Sequence, residues 1–261
     1  MKQAIAVFLI SSAVLLIFTI APAQAQTFNT QLNINLLNLL PPPTTTDPPG
    51  DFHHVQPADF DPGKTYLVQA TWLSGIGCPT NAFTLDFFTG MTTAFTDPAC
   101  VMAPNDPHNK GLLLVKTGPT SNFAAATAEL TNVKGITLTE LGYDIRKSGG
   151  SGGSPLGSHC GAGAPRFDVV TSDGMVHFVG CNSPPAMVAA SSTGWVRLRW
   201  GATELLAAFP PITSTDVVTR IVIVFDEGTD ASGGPDQFGA AILDNIDVNT
   251  TLVGTGAVTA N

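Results

Sequence analysis

The chain has only five arginines, Arg146, Arg166, Arg197, Arg199 and Arg220, and each falls in or beside a stretch that alternates like a β-strand. Alternation of period two sends every second residue to the same face of a strand. By that rule Glu140, Asp144 and Arg146 share one face, Arg166 and Asp168 another, and Arg197 and Arg199 a third, with Trp195 in register with the last pair. His177 has the parity of Met175 and Val179. Set side by side in one sheet, Asp144, Arg146, Arg166, Asp168, His177, Trp195, Arg197 and Arg199 would line a polar face. Planar guanidinium groups there could grip carboxylate, sulfate or sugar hydroxyls. The same residues read equally as an outward face of mutually paired charges, with Asp144 and Asp168 neutralising the arginines.

Sugar stacking needs an aromatic ring, and Tyr66, Trp72, Tyr143, Trp195 and Trp200 are the candidates. In GWVRLRW, Val196, Leu198 and Trp200 take the face opposite the arginines, which assigns Trp200 to the core and leaves Trp195 as the better platform. Polysaccharide hydrolysis or elimination would instead need paired carboxylates, or a base with an arginine, in a cleft. Glu140 with Asp168 could serve, but the chain holds only Glu129, Glu140, Glu204 and Glu227. A literal G-x-S-x-G spans Gly149–Gly153. A nucleophile elbow needs a strand before it and a helix after it; more Gly, Ser and Pro follow here, so the segment reads as a loop.

The elements that would position these residues are short strands. TYLVQATWL, FTLDFFTG, GLLLVKTG, AATAELTNV, ITLTELGYDIR, RFDVVTSDG, MVHFVGC, GWVRLRW, TRIVIVFDEG and AAILDNIDVN each carry a strand pattern bounded by Gly, Pro, Asn or Asp. The Asp173-Gly174 step predicts a hairpin between RFDVV and MVHFV. A short helix is predicted only near Ala202–Ala208. About ten short strands without alternating helices indicate an all-β sandwich or barrel.

Residues 1–25 read as a signal peptide, with Lys2, an apolar run from Ala4 to Ile20 and an Ala23-Gln24-Ala25 cleavage triplet. The next segment, residues 26–50, ends in LLPPPTTTDPPG and reads as a linker or arm, since Pro at that density cannot join a sheet interior. The sandwich domain is placed at 51–252 and a tail at 253–261. Charged residues are 12% of the chain, about half the usual share. A net charge of −9 argues against nucleic acid as partner, which requires basic patches. Together these features point to a soluble, exported protein of the periplasm or extracellular space. They say nothing of oligomeric state.

Four cysteines in an exported chain imply two disulfides. Of three possible pairings, Cys78–Cys100 and Cys160–Cys181 are favoured because each closes a local loop of two candidate strands. Zinc is disfavoured by the lack of any C-x2-C pair.

The succession GLLLVKTGPTSN, GYDIR, GWVRLRW, RIVIVFDEG and AILDNIDVN resembles jelly-roll carbohydrate-binding modules of the galactose-binding-like type, over residues 108–250. The resemblance implies a jelly-roll β-sandwich and a carbohydrate ligand. The GAPRFDVVTSDG…VGC portion is also similar to uncharacterised secreted bacterial proteins. In such modules the first acid of the C-terminal Asp-Asn step often holds a structural calcium, which here would be Asp244. FDEGTDASGGPD, just upstream, offers Asp226, Glu227, Asp230 and Asp236 as further oxygen ligands. Simple alternation puts Asp244 on the apolar face of Ile242, Ile246 and Val248. A carboxylate there must be hydrogen-bonded or bound to a cation, so backbone N–H donors are the competing explanation. The E-x-D-x-x-E strand signature of one large group of jelly-roll hydrolases is absent. The reading is therefore a secreted, non-catalytic module binding carbohydrate or another extracellular ligand. A polysaccharide-active enzyme on the same fold and a structural envelope or matrix protein are the alternatives.

Export and cleavage at the Ala-Gln-Ala triplet predict a mature chain that begins at Gln26. Amino-terminal sequencing of protein recovered outside the cytoplasm checks this; a chain retaining Met1 and its apolar run in the membrane fraction contradicts it.

Overall fold

The computed structural model describes residues 55–78, 82–85, 89, 92–95, 100, 109–118, 124–147, 164–180, 183, 185–190, 194–226 and 239–253. Two antiparallel sheets face each other. The first is ordered β1 (Val55–Phe60), β6 (Ala125–Leu130), β12 (Val218–Phe225), β8 (Arg166–Thr171), β9 (Val176–Val179). The second is ordered β10 (Ala186–Ala190), β11 (Val196–Gly201), β7 (Glu140–Lys147), β13 (Gly239–Val248), β5 (Gly111–Lys116), β2 (Val68–Leu73), with β14 (Thr251–Val253) also pairing β13. A separate hairpin joins β3 (Ala82–Leu85) to β4 (Thr92–Phe95). The single helix among the described residues, α1 (Ala202–Leu206), follows β11. The all-β sandwich expected from the sequence is present, and each of the ten predicted strands has a counterpart. Successive strands cross repeatedly from one sheet to the other, as from β5 through β6 and β7 to β8.

Alternation builds the core. Leu112 and Leu114, Leu141, Tyr143 and Ile145, Val196, Leu198 and Trp200 point inward from the second sheet. They meet Ala126, Ala128 and Leu130, Phe167 and Val169, and Ile221, Ile223 and Phe225 of the first. Tyr143, Phe167 and Trp200 form an aromatic triad at the centre, with ring centroids 5.3–5.9 Å apart. The Tyr143 hydroxyl is satisfied by donating to the Pro165 carbonyl at 2.8 Å, as a buried phenol must be.

The strands that sequence patterning overlooked include two at the sheet edges. β1 contains Pro57 and pairs only with β6, and Pro within a run is tolerated at an edge, where its missing N–H breaks no ladder. β10 is AMVAA at the margin of the second sheet. The predicted hairpin turn is present: Gly174 has φ +83°, and the Asp173 carboxylate accepts from the Met175 N–H at 3.0 Å. Of the two expected disulfides, Cys78–Cys100 is formed, with Cα atoms 5.6 Å apart. Cys160 and Cys181, Glu227 and the Gly149–Gly153 segment lie outside the described residues.

One expectation is overturned. Asp244 does not share a face with Ile246 and Val248. The register of β13 on β7 runs Asp244↔Asp144 and then Asp247↔Gly142, so β13 carries one extra residue at that point. Asn245 sits in the left-handed region at φ 46°, a conformation Asn adopts more readily than most residues. This β-bulge resets the parity. Leu243, Ile246 and Val248 face the core, while Asp244 and Asp247, three positions apart, both face away from it.

The bulge makes a sharp prediction. Inserting one alanine after Asn245 would turn Ile246 and Val248 outward and Asp247 into the core, so the chain should fail to fold cooperatively. Asn245→Gly, which keeps the backbone conformation but loses one buried hydrogen bond to a carboxylate, should cost only about 1.5–3 kcal/mol. Urea denaturation of both variants tests the pair of outcomes; equal effects would contradict the bulge as the source of register.

Candidate functional site

The predicted polar face is divided between the two sheets. Asp144, Arg146, Arg197 and Arg199 come together on the outer face of the second sheet, because β7 and β11 pair with Arg197↔Asp144 and Arg199↔Gly142 in register. Arg166 and Asp168 lie on the outer face of the first sheet, flanking the inward Phe167. His177 points the other way, toward the interior. Its ring sits 3.1 Å from Thr171 Oγ1 and 3.0 Å from the Pro210 carbonyl.

On the second sheet the charges neutralise one another under cover. Asp144 is fully buried. It accepts from Arg197 Nε at 3.3 Å and from Asn245 Nδ2 at 2.8 Å, with Arg199 Nη2 at 3.7 Å. Arg199 also pairs through Nε with Asp247 at 3.1 Å and donates from Nη1 to the Leu198 carbonyl at 2.7 Å. Gly142 makes room for this: a Cβ there would lie 2.7 Å from the Leu198 carbonyl oxygen and against the Arg199 side chain. Burial pushes the Asp247 carboxyl up to about 6; Arg199 pulls it down and Glu140 adds to the rise. Arg146 is the exposed member of the group.

Asp244 lies opposite Asp144 in the same ladder. Its carboxylate accepts the Cys78 N–H and the Asn245 N–H, each at 2.7 Å. Gly77 must be a glycine, since a Cβ there would fall 2.7 Å from Asp244 Oδ2. The segment that delivers Cys78 is clamped by Asn109, whose carbonyl accepts from the Gly75 and Gly77 N–H groups at 2.9 and 3.0 Å. The Cys78–Cys100 disulfide then packs on Trp195 and Ile242. Trp195, expected as a stacking platform, is therefore buried at 2% exposure.

On the first sheet Arg166 makes a bidentate pair with Asp226, at 2.7 and 2.9 Å, and donates from Nε to Asp168 at 3.0 Å. All three are at most 2% exposed. Burial pushes the Asp168 carboxyl up to about 7; Arg166 opposes the rise and Asp226 reinforces it. Lys116 is also buried, facing inward from the end of β5, and its Nζ has no hydrogen-bond partner among the described residues. Desolvation depresses its pKa, with Asp226 opposing. A third pair, Arg220 with Glu129 at 2.7 Å through Nε, links β12 to β6.

Of the expected calcium ligands, Asp226 is held by Arg166 on the first sheet and Asp244 by two backbone N–H groups on the second, and Glu227 lies outside the described residues. The group of potential metal ligands found among the described residues is Cys78, Cys100 and Asp144. Its sulfurs are joined to each other, and a disulfide offers no thiolate to a metal.

Of the aromatic candidates, Tyr143, Trp195 and Trp200 are buried, and Trp72 is half-buried with its Nε1 donating to the Val55 carbonyl. Tyr66 is 85% exposed. It also has φ 56°, where a bulky residue costs on the order of 1 kcal/mol or more. The Asp61 carboxylate holds that turn, accepting from the Tyr66 N–H at 2.6 Å and from Thr65 Oγ1 at 3.0 Å.

Residues the sequence reading missed include Asn245, Asp247, Lys116 and Asp61. A signal for the first two was available: acids three apart at Asp244 and Asp247, with Asn between them, are incompatible with unbroken alternation.

No known protein family matches the chain, and no curated protein matches it. Among solved structures, the enzymatically active domain of tailspike protein 4 of Bacteriophage CBA120 aligns at 13% identity and a TM-score of 0.15 over 72% of this chain. The chain spans 18% of the length of that one. So weak a likeness informs neither fold nor activity.

Two predictions follow from the ion clusters. Arg199→Ala should destabilise by about 3–5 kcal/mol, because Asp144 and Asp247 lose a buried partner; thermal unfolding checks it, and a change below 1 kcal/mol would place these charges in contact with water. Asp168 and Asp247 both have folded-state pKa values above their ordinary 3.8. The native state therefore holds more protons than the unfolded chain between about pH 4 and pH 7. Stability should be full below pH 4 as far as these groups are concerned and decline as pH rises through 6 and 7, and Asp168→Asn should flatten that decline in denaturant titrations.

Proposed function

We propose that this chain is an exported, non-catalytic β-sandwich module that binds extracellular carbohydrate. The observation that carries the reading is the fate of its ionisable groups. Arg166 with Asp168 on its own strand and with Asp226, Arg220 with Glu129, and Arg197 and Arg199 with Asp144 and Asp247 are joined in buried or half-buried pairs. Acids so engaged hold the scaffold together and are poorly placed to give or take a proton from a substrate. Glu140 and Asp168, the pair a hydrolase would have used, stand on different sheets. A disulfide-tied sandwich whose described arginines are mostly engaged in ion pairs supports a recognition module, and the exported character read from the sequence makes glycans the available ligand class.

Affinity electrophoresis through gels containing β-glucan, xylan, galactomannan or polygalacturonate tests this. Retardation by at least one polymer is expected, with no release of reducing ends and no unsaturated product on prolonged incubation. Turnover would replace the reading with an enzyme; retardation by none would remove carbohydrate as the ligand.

A further inference from the structure

The Asp61–Leu67 turn joins edge strand β1 of the first sheet to edge strand β2 of the second. Its backbone is fixed at several points. Asp61 accepts from the Tyr66 N–H and from Thr65 Oγ1. The Leu67 carbonyl accepts from the Thr117 N–H at 2.8 Å and from Thr117 Oγ1 at 3.2 Å. Next to the turn, Asp59 Oδ1 accepts the Ala70 N–H at 2.6 Å. Between these ties Tyr66 stands 85% exposed, and among the described residues its hydroxyl has no hydrogen-bond partner. A hydrogen-bonded turn nonetheless keeps a bulky aromatic at φ 56°, and residues in such conformations persist where the surroundings over-determine them and concentrate at ligand-contact sites.

We infer that Tyr66 is a preorganised stacking platform for the apolar C–H face of a neutral pyranose. This deepens the proposed carbohydrate function and rests on it. The backbone that carries the ring is already fixed in the free protein, so little loop freedom is lost on binding. The surroundings select the ligand class. Pro62, Gly63, Lys64 and Gln69 are the exposed neighbours along the chain; Lys64 and Gln69 offer polar groups to sugar hydroxyls, and a ring 85% exposed lacks the packed setting of a protein hot spot. Asp59 and Asp61 precede Tyr66 in the chain, with Lys64 as the one cation of the turn. That balance, in a chain of net charge −9, disfavours uronates and favours uncharged sugars. Binding should then be insensitive to salt, because no screened attraction contributes.

The test compares the full chain with Tyr66→Asn, Tyr66→Phe and Tyr66→Trp in gels of β-glucan, xylan, galactomannan and polygalacturonate, at low and high salt. Asn accepts the left-handed backbone, so loss of binding in that variant cannot be assigned to a broken turn; its melting temperature should equal or exceed that of the parent. Expected are retardation of the parent by a neutral polymer independent of salt, at least tenfold weaker binding by Tyr66→Asn, and retention by Phe and Trp. Undiminished binding by Tyr66→Asn overturns the platform and leaves the carbohydrate reading intact. Retardation by polygalacturonate alone, abolished by salt, also overturns it. Retardation of the parent by none of the four overturns both.

Discussion

Two aspartates facing each other across the central strands of one sheet set the conditions for much of this structure. Asp144 on β7 and Asp244 on β13 are cross-strand partners, both at most 2% exposed. Like charges directly opposite in an antiparallel pair repel, and burial removes the water that would screen them. Both carboxylates therefore need donors from elsewhere. Asn245 serves the two at once, giving its N–H to Asp244 and its side-chain amide to Asp144. It can do so only from the left-handed bulge position. The remaining donors arrive from Arg197 and Arg199 on β11 and from the Cys78 N–H. Gly77, Gly142, the Asn109 clamp and the Cys78–Cys100 bond then follow as the steric and covalent terms that let those donors approach. Removing an acid alone would strand the arginines; removing an arginine alone would strand the acids. The cluster holds as a unit.

How much of this was legible depends on what each residue's environment is made of. Core strands such as β11 and β12 were readable because alternation against a common interior is a local pattern: Val196, Leu198 and Trp200 inside, Arg197 and Arg199 outside. The pairing partner was not readable. Nothing in RFDVV says that β8 belongs to the opposite sheet from β7, so Arg166 and Arg146 looked like neighbours. Parity failed where the backbone stopped alternating, at Asn245, and it failed in the choice of stacking ring. Trp195 has the parity of an exposed residue, but the disulfide segment arriving from more than ninety positions upstream covers it. Solvent exposure of a sheet face is a property of what packs on the sheet, and long-range covering segments leave no mark in the strand they cover.

The first sheet repeats the same logic with different parts. Arg166 spans Asp226 and Asp168; burial displaces Asp168 toward neutrality, the second acid on the same guanidinium adds to the rise, and Arg166 only partly offsets it. Such perturbed groups often mark catalytic centres. Here the inference points elsewhere, because the perturbed acid is enclosed and its shift follows from burial, reinforced by Asp226 and opposed by Arg166. Charge scarcity has a related consequence. A chain with 12% charged residues that commits most of its described arginines to interstrand pairs has few left for recognising a ligand by charge, which moves any recognition toward shape and apolar contact.

Among the described residues, the seven non-glycine positions with positive φ sharpen that conclusion. Four are Asn, at 109, 132, 245 and 249, the side chain that best tolerates the left-handed region. Three of them have visible architectural work: Asn109 clamps Gly75 and Gly77, Asn245 bridges the aspartates, and Asn249 binds the backbone at Thr137, Thr139 and Glu140. At these positions the fold uses the residue type that suits. Lys64, Thr250 and Tyr66 depart from that pattern, and of the three Tyr66 is the aromatic. It occupies the same backbone region with an unsuited side chain, takes part in the turn only through its backbone, and leaves its ring in water. Backbone geometry alone would be served as well or better by Asn or Gly at that position, so the aromatic ring itself is what the fold leaves unexplained, and a role in contact with something outside the chain is the explanation that uses it.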